Sequence, residues 1–199
     1  MLAIVTIARA FFEAMMYLTF RSIVLISFAA VSLGSAALSA PMVISDIMLD
    51  VNSDGKLDRV ALVDNGGLAD LYIYLGAGDA PLDISKPPTF IKKELSYNNV
   101  HALAVSGKHA FIIRNGCGGC SNDYETTLTI VDRDGTFLVA GYTLDWDTRN
   151  GQGRCDINFL TGKGTLARDL GEGKHVKGQF KPVKLADWTD DDAPKICQN

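Results

Sequence analysis

The sequence predicts an all-β protein with a single antiparallel β domain that follows an N-terminal signal peptide. Three observations predict it. After residue 45, short runs of β-branched and aromatic residues alternate with turn residues, whereas apolar residues at helical spacing are almost absent. Residues 1–39 have the composition of a secretory leader. The rest of the 199-residue chain is long enough for one packed domain and too short for two comfortable ones.

The leader begins with few charges and contains a short apolar core. Arg21 is followed by the apolar run IVLISFAAVSL and then by the small residues GSAALSA, an order typical of signal peptides. A membrane-spanning helix needs about 20 apolar residues, and Ser and Gly interrupt this run at about half that length. We therefore expect a cleaved leader and no membrane span in the mature chain.

The expected cleavage site divides the chain into two parts. Ala37-Leu38-Ser39 fits the small-x-small rule, which predicts a signal peptide over 1–39 and a β domain over 40–199. Met15 and Met16 are alternative starts. The expected location is periplasmic or secreted.

The net charge excludes one class of partner. The chain carries a net charge of −4, and it stays negative once residues 1–39 are removed. Proteins that bind nucleic acid need clustered Lys and Arg to neutralise phosphates. Nucleic acid is therefore not an expected partner.

Turn residues between apolar runs predict three hairpins. Asn65-Gly66 is expected to supply the positive φ angles of the first turn, and Asp134-Gly135 those of the third. The predicted arms are RVALV (59–63) with DLYIYL (70–75), ALAV (102–105) with HAFIIR (109–114), and residues 127–133 with 136–144.

The remaining segments complete the predicted domain. Further strands are expected over 156–167 and 175–183, and the Pro- and Gly-rich stretch 76–88 is expected to be a surface loop. Because no linker divides the mature chain, the strands predict one sandwich or propeller-like domain.

The stretch DVNSDGKLD, residues 50–58, has oxygen-bearing groups at alternating positions. Calcium takes six to eight oxygen ligands, and Gly55 would let the chain turn around the ion. An EF-hand would need Glu at the twelfth position, which is Ala61 here, so that type of site is excluded. An acidic turn without a metal remains the alternative. The expected ligands are the side chains of Asp50, Asn52, Asp54 and Asp58 and the backbone carbonyl of Lys56.

This loop and the strands after it resemble the FG-GAP or VCBS-type repeat of integrin-α-like β-propellers, found in many exported bacterial proteins. The resemblance covers residues 46–76 and one copy of the motif. It implies that the loop holds calcium between two strands of a blade. About four blades is the most that the mature chain would allow.

The four cysteines follow the leader, and an even number in an oxidising compartment indicates disulfide bonds. Three pairings are open, of which we favour Cys117 with Cys120 and Cys155 with Cys197. A redox site at CGGC is a weaker alternative, because the motif falls in a Gly-rich loop between strands rather than at a helix N-terminus. A four-cysteine zinc site is weaker still.

An aromatic and polar segment gives a second candidate site. Tyr142, Asp145, Trp146, Asp147 and Arg149 could line a carbohydrate-binding face. Asp145 and Asp147 would share one face of a strand, about 7 Å apart. This pair suggests glycoside hydrolysis as an alternative function, although nothing marks one acid as a proton donor.

The other polar residues indicate no catalytic site. His101, His109 and His175 lack metal-binding spacing, and no nucleophile elbow or phosphate-binding loop is present. In the acidic segment 185–197, Trp188 is expected to pack as an anchor.

We therefore expect an exported, non-catalytic β-domain protein with one structural calcium site, acting as a binding or interaction module in the cell envelope. Its ligand would be an unknown protein or glycan. The alternatives are an envelope glycan hydrolase that uses Asp145 and Asp147, and a redox protein that uses Cys117 and Cys120.

Overall fold

Antiparallel β-strands make up most of the computed structural model, which describes residues 42–96, 100–169 and 171–198. The described residues belong to a compact unit spanning Ala40–Asn199. The predicted signal peptide lies outside the described residues. The all-β class and the antiparallel arrangement agree with the sequence-based prediction.

The strands are β1 (Val43–Leu49), β2 (Asp58–Asp64), β3 (Ala69–Tyr74), β4 (Phe90–Ser96), β5 (Val100–Gly107), β6 (Ala110–Cys117), β7 (Asn122–Arg133), β8 (Thr136–Thr148), β9 (Gly151–Asn158), β10 (Lys163–Arg168), β11 (Lys174–Lys177) and β12 (Val183–Lys184). A 3₁₀ turn (Asp190–Asp192) and a four-residue helix α1 (Lys195–Gln198) follow them.

The strands form two sheets. The small sheet has the order β1-β2-β3-β4, and the large sheet has the order β11-β10-β9-β8-β7-β6-β5, with β12 paired to β8. β5 lies beside β1, where the Leu103 N–H donates to Ser45 Oγ at 3.2 Å. Phe90 of β4 packs edge-to-face on Phe137 of β8, with ring centroids 5.2 Å apart. The two sheets therefore share one hydrophobic core.

The three predicted hairpins are present, with one correction to their turns. Asp134 and Gly135 have φ angles of 53° and 76°, as expected. In the first turn, the positive φ angles belong to Gly66 and Gly67 rather than to Asn65. Asn65 instead closes the turn with its N–H, which donates to the Leu68 carbonyl at 2.8 Å.

Burial explains why β2 and β3 form the centre of the small sheet. Residues 60–63 of β2 are all buried, so both faces of this strand are covered. Leu71 and Ile73 of β3 are also fully buried. Continuous apolar runs of this length suit a central strand.

Four elements differ from the prediction. β1 and β4 were not predicted, and residues 156–167 belong to two strands, β9 and β10, because the chain turns between Asn158 and Lys163. Residues 178–182 separate β11 from β12. The loop over 76–88 is confirmed, since no strand lies between Tyr74 and Phe90.

The C-terminal segment is fastened to the large sheet. Trp188 is 4% exposed and packs near the rings of Tyr142 and Phe159. A disulfide joins Cys155 of β9 to Cys197 of α1. Trp188 is thus the anchor that the sequence predicted. Within the described ranges, no helix is long and apolar enough to cross a membrane.

Candidate functional site

The first candidate site is the loop between β1 and β2, residues 50–57, which we call the acidic loop. It begins after Leu49 and ends before Asp58, the first residue of β2. Ser53 and Gly55 have positive φ angles of 65° and 83°. A side chain at Gly55 would meet no atom within 4 Å, so its φ angle is what favours glycine there.

Three side chains of the acidic loop point their oxygens at the loop's own backbone. Asp50 accepts hydrogen bonds from the N–H groups of Asp54 at 3.1 Å and Gly55 at 3.0 Å. Asn52 Oδ1 accepts from the Asp54 N–H at 3.1 Å, and Asp54 Oδ1 accepts from the Lys56 N–H at 2.8 Å. The three oxygen-bearing side chains are therefore gathered on the inside of one turn.

The electrostatics of the loop keep one of these groups ionised. The Lys56 N–H and the Asn52 amide lower the pKa of Asp54 below its ordinary value, with the backbone hydrogen bond as the larger cause. Asp54 is fully exposed to solvent. It therefore presents a charged carboxylate at the surface of the loop.

Asp58, the fifth predicted ligand, has both carboxylate oxygens engaged by backbone N–H groups. It is fully buried, and its Oδ2 accepts from the Val51 N–H at 2.8 Å. Its Oδ1 accepts from the Gly76 N–H at 2.7 Å, just beyond the end of β3. Asp58 therefore joins the start of the acidic loop to the next hairpin, a structural role that the sequence alone did not indicate.

His109 connects the acidic loop to the large sheet. Its Nδ1 lies 2.6 Å from the backbone carbonyl oxygen of Asp50 and 3.6 Å from the Asp50 carboxylate. A carbonyl oxygen only accepts hydrogen bonds, so Nδ1 carries the proton in this contact. The loop is thus tied to the small sheet by Asp58 and to the large sheet by His109.

The acidic loop has the donor chemistry that calcium requires. Asp50 and Asp54 supply carboxylates, and Asn52 and the Lys56 carbonyl supply neutral oxygens, which are the ligands of a hard cation. Each oxygen that accepts one N–H keeps a second lone pair. Across the described chain, no three His, Cys, Asp or Glu side chains converge as a metal site. A cation in this loop would therefore depend on amide, carbonyl and water oxygens beside two carboxylates.

The second candidate site is a groove of about 510 Å³ at one end of the large sheet, which we call the sheet-end groove. Tyr124 of β7 and Trp146 of β8 face each other directly across the strands, and Gly153 of β9 is the next residue in this row. A Cβ added to Gly153 would overlap the Trp146 ring. Glycine at 153 therefore makes room for the indole.

Carboxylates dominate the polar lining of the sheet-end groove. Asp123 pairs in register with Asp147, and Glu125 with Asp145. Asp145 forms an ion pair with Arg154 at 3.2 Å. One carboxylate oxygen of Asp123 is buried and has no hydrogen-bond partner. Because successive residues of a strand point to opposite faces, these carboxylates project from the face of the sheet opposite to the Tyr124 and Trp146 rings.

The sequence predicted part of this groove. Asp145, Trp146 and Asp147 line it, and the carbohydrate-face interpretation stays a prediction. Tyr142 instead belongs to the core, and Arg149 lies in the turn between β8 and β9. The residues that the sequence missed are Asp123, Tyr124, Glu125 and Arg154. The available signal was the similarity of DYE (123–125) and DWD (145–147), two aromatic and acidic triplets on paired strands.

The CGGC loop borders the sheet-end groove. Cys117 lines the groove and is bonded to Cys120, which is exposed. The second disulfide, Cys155–Cys197, is buried. Both pairings agree with the expectation from the sequence.

Comparisons with protein-family models, with curated proteins and with solved structures found no match to this chain. The FG-GAP or VCBS resemblance therefore stays a prediction that rests on the residues of the acidic loop.

Proposed function

We propose that this protein is an exported, non-catalytic binding module of the cell envelope in which the acidic loop binds one structural calcium ion. The observation that carries the calcium proposal is the inward arrangement of the Asp50, Asn52 and Asp54 oxygens in a single turn. The loop is also fastened to both sheets, so an ion held there would stabilise their junction.

The proposed ligands divide into those that hold the ion and one that braces the loop. Asp50, Asn52 and Asp54 would bind through side-chain oxygens and Lys56 through its carbonyl, with water completing the six to eight positions. Bound calcium would supply positive charge that offsets the two carboxylates. Asp58 would fix the loop ends through Val51 and Gly76 rather than bind the ion.

Two features support export. Both disulfide bonds form in the β domain, and structural disulfides persist in oxidising compartments. The sequence of residues 1–39 supplies the expected leader. Fractionation of cells that express the full chain should recover a shortened protein outside the cytoplasm, and recovery of the uncut chain in the cytoplasm would contradict the proposal.

Calorimetric titration with calcium tests the metal site. Chelator-treated wild-type protein should bind one calcium ion, and Asp54→Ala should remove this binding. Asp83→Ala is a matched control, because Asp83 is also exposed and also accepts a backbone N–H two residues ahead, in the loop after β3. Loss of binding in both variants, or in neither, would contradict the assignment to the acidic loop.

The glycan-hydrolase alternative is favoured by one observation, the presence of Asp145, Trp146 and Asp147 in the same groove. Against it, Asp145 is engaged by Arg154, whereas glycoside hydrolysis needs one carboxyl group as a proton donor. Turnover of polysaccharide or peptidoglycan fragments that is lost in Asp145→Asn or Asp147→Asn would replace the non-catalytic proposal with this alternative.

A further inference from the structure

We propose that Asn65 is a site of spontaneous deamidation, a covalent modification that puts a new carboxylate beside the buried Asp70 and weakens the first hairpin. The reactive unit is Asn65 followed by Gly66, in the exposed turn between β2 and β3. The modification does not depend on calcium, because the acidic loop lies between β1 and β2.

An Asn-Gly pair deamidates without an enzyme. The backbone nitrogen of the glycine loses its proton to base and attacks the side-chain carbonyl carbon Cγ of the asparagine. The bond between Cγ and Nδ2 breaks, ammonia leaves, and a cyclic succinimide remains. Water then opens the ring at either carbonyl carbon, which gives aspartate or isoaspartate. Glycine favours this ring closure because it has no side chain to crowd the attack and its backbone is free to rotate.

The chain contains three Asn-Gly pairs, and the sequence alone does not distinguish them. They begin at Asn65, Asn115 and Asn150. The reaction needs a glycine N–H that is outside the β-ladder, and it needs open space for the ring. The structure therefore determines which of the three pairs reacts.

Gly66 meets both requirements. In its turn, the Asn65 N–H donates to the Leu68 carbonyl, and the Gly67 N–H donates to Asp64. Within the described residues, no hydrogen bond includes the Gly66 N–H. Gly66 has a φ angle of 69°, and a Cβ added to it would meet no atom within 4 Å. The nitrogen that must attack is therefore accessible and unhindered.

Strand pairing holds the other two pairs. Gly116 is buried in β6, where it pairs with Val100 of β5 and with Glu125 of β7. Gly151 is the first residue of β9 and pairs with Thr148 of β8. These ladders must open locally before either glycine nitrogen reaches its asparagine. We therefore expect both pairs to react slowly while the protein is folded.

The reaction at Asn65 would disturb the buried acid beside the turn. Asn65 Nδ2 donates to Asp70 Oδ2 at 3.3 Å, and Asp70 is only 4% exposed. Aspartate at position 65 replaces this donor by a carboxylate oxygen, so that two like charges face each other. Isoaspartate instead lengthens the backbone of the turn by a methylene group. Because β2 and β3 are the central strands of the small sheet, either product should lower stability.

Peptide mapping tests the site on protein obtained by expressing the full chain. The protein is incubated in mildly alkaline buffer, folded or in urea, and then digested with trypsin, which places the three pairs on separate peptides. Mass spectrometry follows the exchange of NH₂ for OH. In the folded protein, Asn65 should react at least about tenfold faster than Asn115 or Asn150, because those two pairs wait for a ladder to open. In urea, the three rates should become similar.

Variants test the reaction and its consequence. Asn65→Gln should abolish modification at this position, because the longer side chain would have to close a larger ring. Asn65→Asp reproduces one product, and its urea unfolding midpoint should be lower than that of wild type. Asn150→Asp is the matched control, since Asn150 is also exposed in a turn between two strands, and its midpoint should equal that of wild type.

Three results would overturn the inference: no modification of Asn65 in the folded protein, modification of Asn115 or Asn150 as fast as that of Asn65, or equal unfolding midpoints for Asn65→Asp and Asn150→Asp. None of these measurements involves calcium, so they test the inference separately from the proposed metal site.

Discussion

His109 donates a hydrogen bond from Nδ1 to the backbone carbonyl oxygen of Asp50 across 2.6 Å, joining the turn between β5 and β6 to the start of the acidic loop. The two residues are 59 positions apart in the chain. Because Asp58 fastens the same loop to the end of β3, the loop is held by both sheets. Changes to these contacts should therefore affect stability as well as cation binding.

His109→Ala should lower the free energy of unfolding by about 1 kcal/mol, the usual net value of one such hydrogen bond. Urea denaturation at neutral pH measures this change. His175→Ala is the matched control, since His175 is exposed on the edge strand β11. Equal effects of the two substitutions would contradict the role given to His109.

Asp58→Asn should lower the free energy of unfolding by about 2 kcal/mol or more. Both carboxylate oxygens accept backbone N–H groups, and an asparagine amide would turn an NH₂ donor toward one of them. Asp64→Asn is the control, because one oxygen of Asp64 accepts the Gly67 N–H and asparagine keeps that acceptor. Similar chemical-denaturation midpoints for the two variants would reject the proposed bracing by Asp58.

Removal of the Cys155–Cys197 disulfide should cost more stability than removal of Cys117–Cys120. The first bond closes a separation of 42 residues and the second a separation of 3. Loop-closure entropy predicts losses of about 4 and about 1.6 kcal/mol, respectively. Double Cys→Ala variants of each pair, compared by denaturant unfolding, measure the difference. The reverse order would show that the short CGGC loop contributes more than chain entropy allows.

The exposure of the two disulfides predicts their order of reduction. Cys120 is exposed, whereas Cys155 and Cys197 are buried. Thiolates attack only accessible sulfur atoms, so limiting dithiothreitol should reduce Cys117–Cys120 first. Mass spectrometry after alkylation identifies the labelled cysteines. Early labelling of Cys197 would contradict its buried position in α1.

Tyr142 should make stability fall in alkaline solution. Burial is the main cause that raises its pKa from 10.0 to about 12, with Asp190 as a smaller cause. Since the folded pKa is the higher one, the folded state keeps its proton longer, and stability present below pH 10 is lost as pH rises toward about 12. Denaturation between pH 9 and 12 should show a steeper decline for wild type than for Tyr142→Phe. Parallel declines would contradict this account.

The sequence was sufficient to predict the strands that are marked by local patterns of apolar and turn residues. β2, β3 and the β7–β8 hairpin combine apolar runs with Gly-containing turns, and the bounds of β2 and β3 lie within one residue of the prediction. β7 begins five residues before its predicted arm and β8 ends four residues after its own, because these two strands continue to pair beyond the apolar run. β1 and β4 lack such signals. β4 contains Lys92, Lys93 and Glu94, and it is interrupted by a positive φ angle at Glu94. Its strand conformation depends on pairing with β3, which a local pattern does not contain.

The sheet-end groove could not be predicted from the sequence, because it depends on one irregularity in the pairing register of β7 and β8. Counting outward from the Asp134-Gly135 turn, a regular hairpin would place Tyr124 opposite Asp145. The register shifts between Thr129 and Ile130, and this brings Tyr124 opposite Trp146 instead. A shift of one residue exchanges the two faces of a strand, so the aromatic pair arises from a bulge that the sequence does not mark.

In the acidic loop, too, the spacing of residues predicts only part of the side-chain arrangement. The alternation of oxygen-bearing residues groups Asp50, Asn52 and Asp54, and in the structure Asp50 and Asn52 both accept the Asp54 N–H. The spacing also included Asp58, but this residue is the first of β2 and is drawn into the core by the Val51 and Gly76 N–H groups. Tertiary hydrogen bonds, rather than spacing, determine its position.

The thermal unfolding midpoint in calcium and in excess chelator tests the central claim most directly. Wild-type protein should unfold at a clearly higher temperature in calcium, because an ion that binds only the folded state stabilises it by mass action. Asp54→Ala should lose this difference, and the matched variant Asp83→Ala should keep it. An identical midpoint for wild type in calcium and in chelator would contradict the account, leaving the acidic loop as a turn held by its own hydrogen bonds.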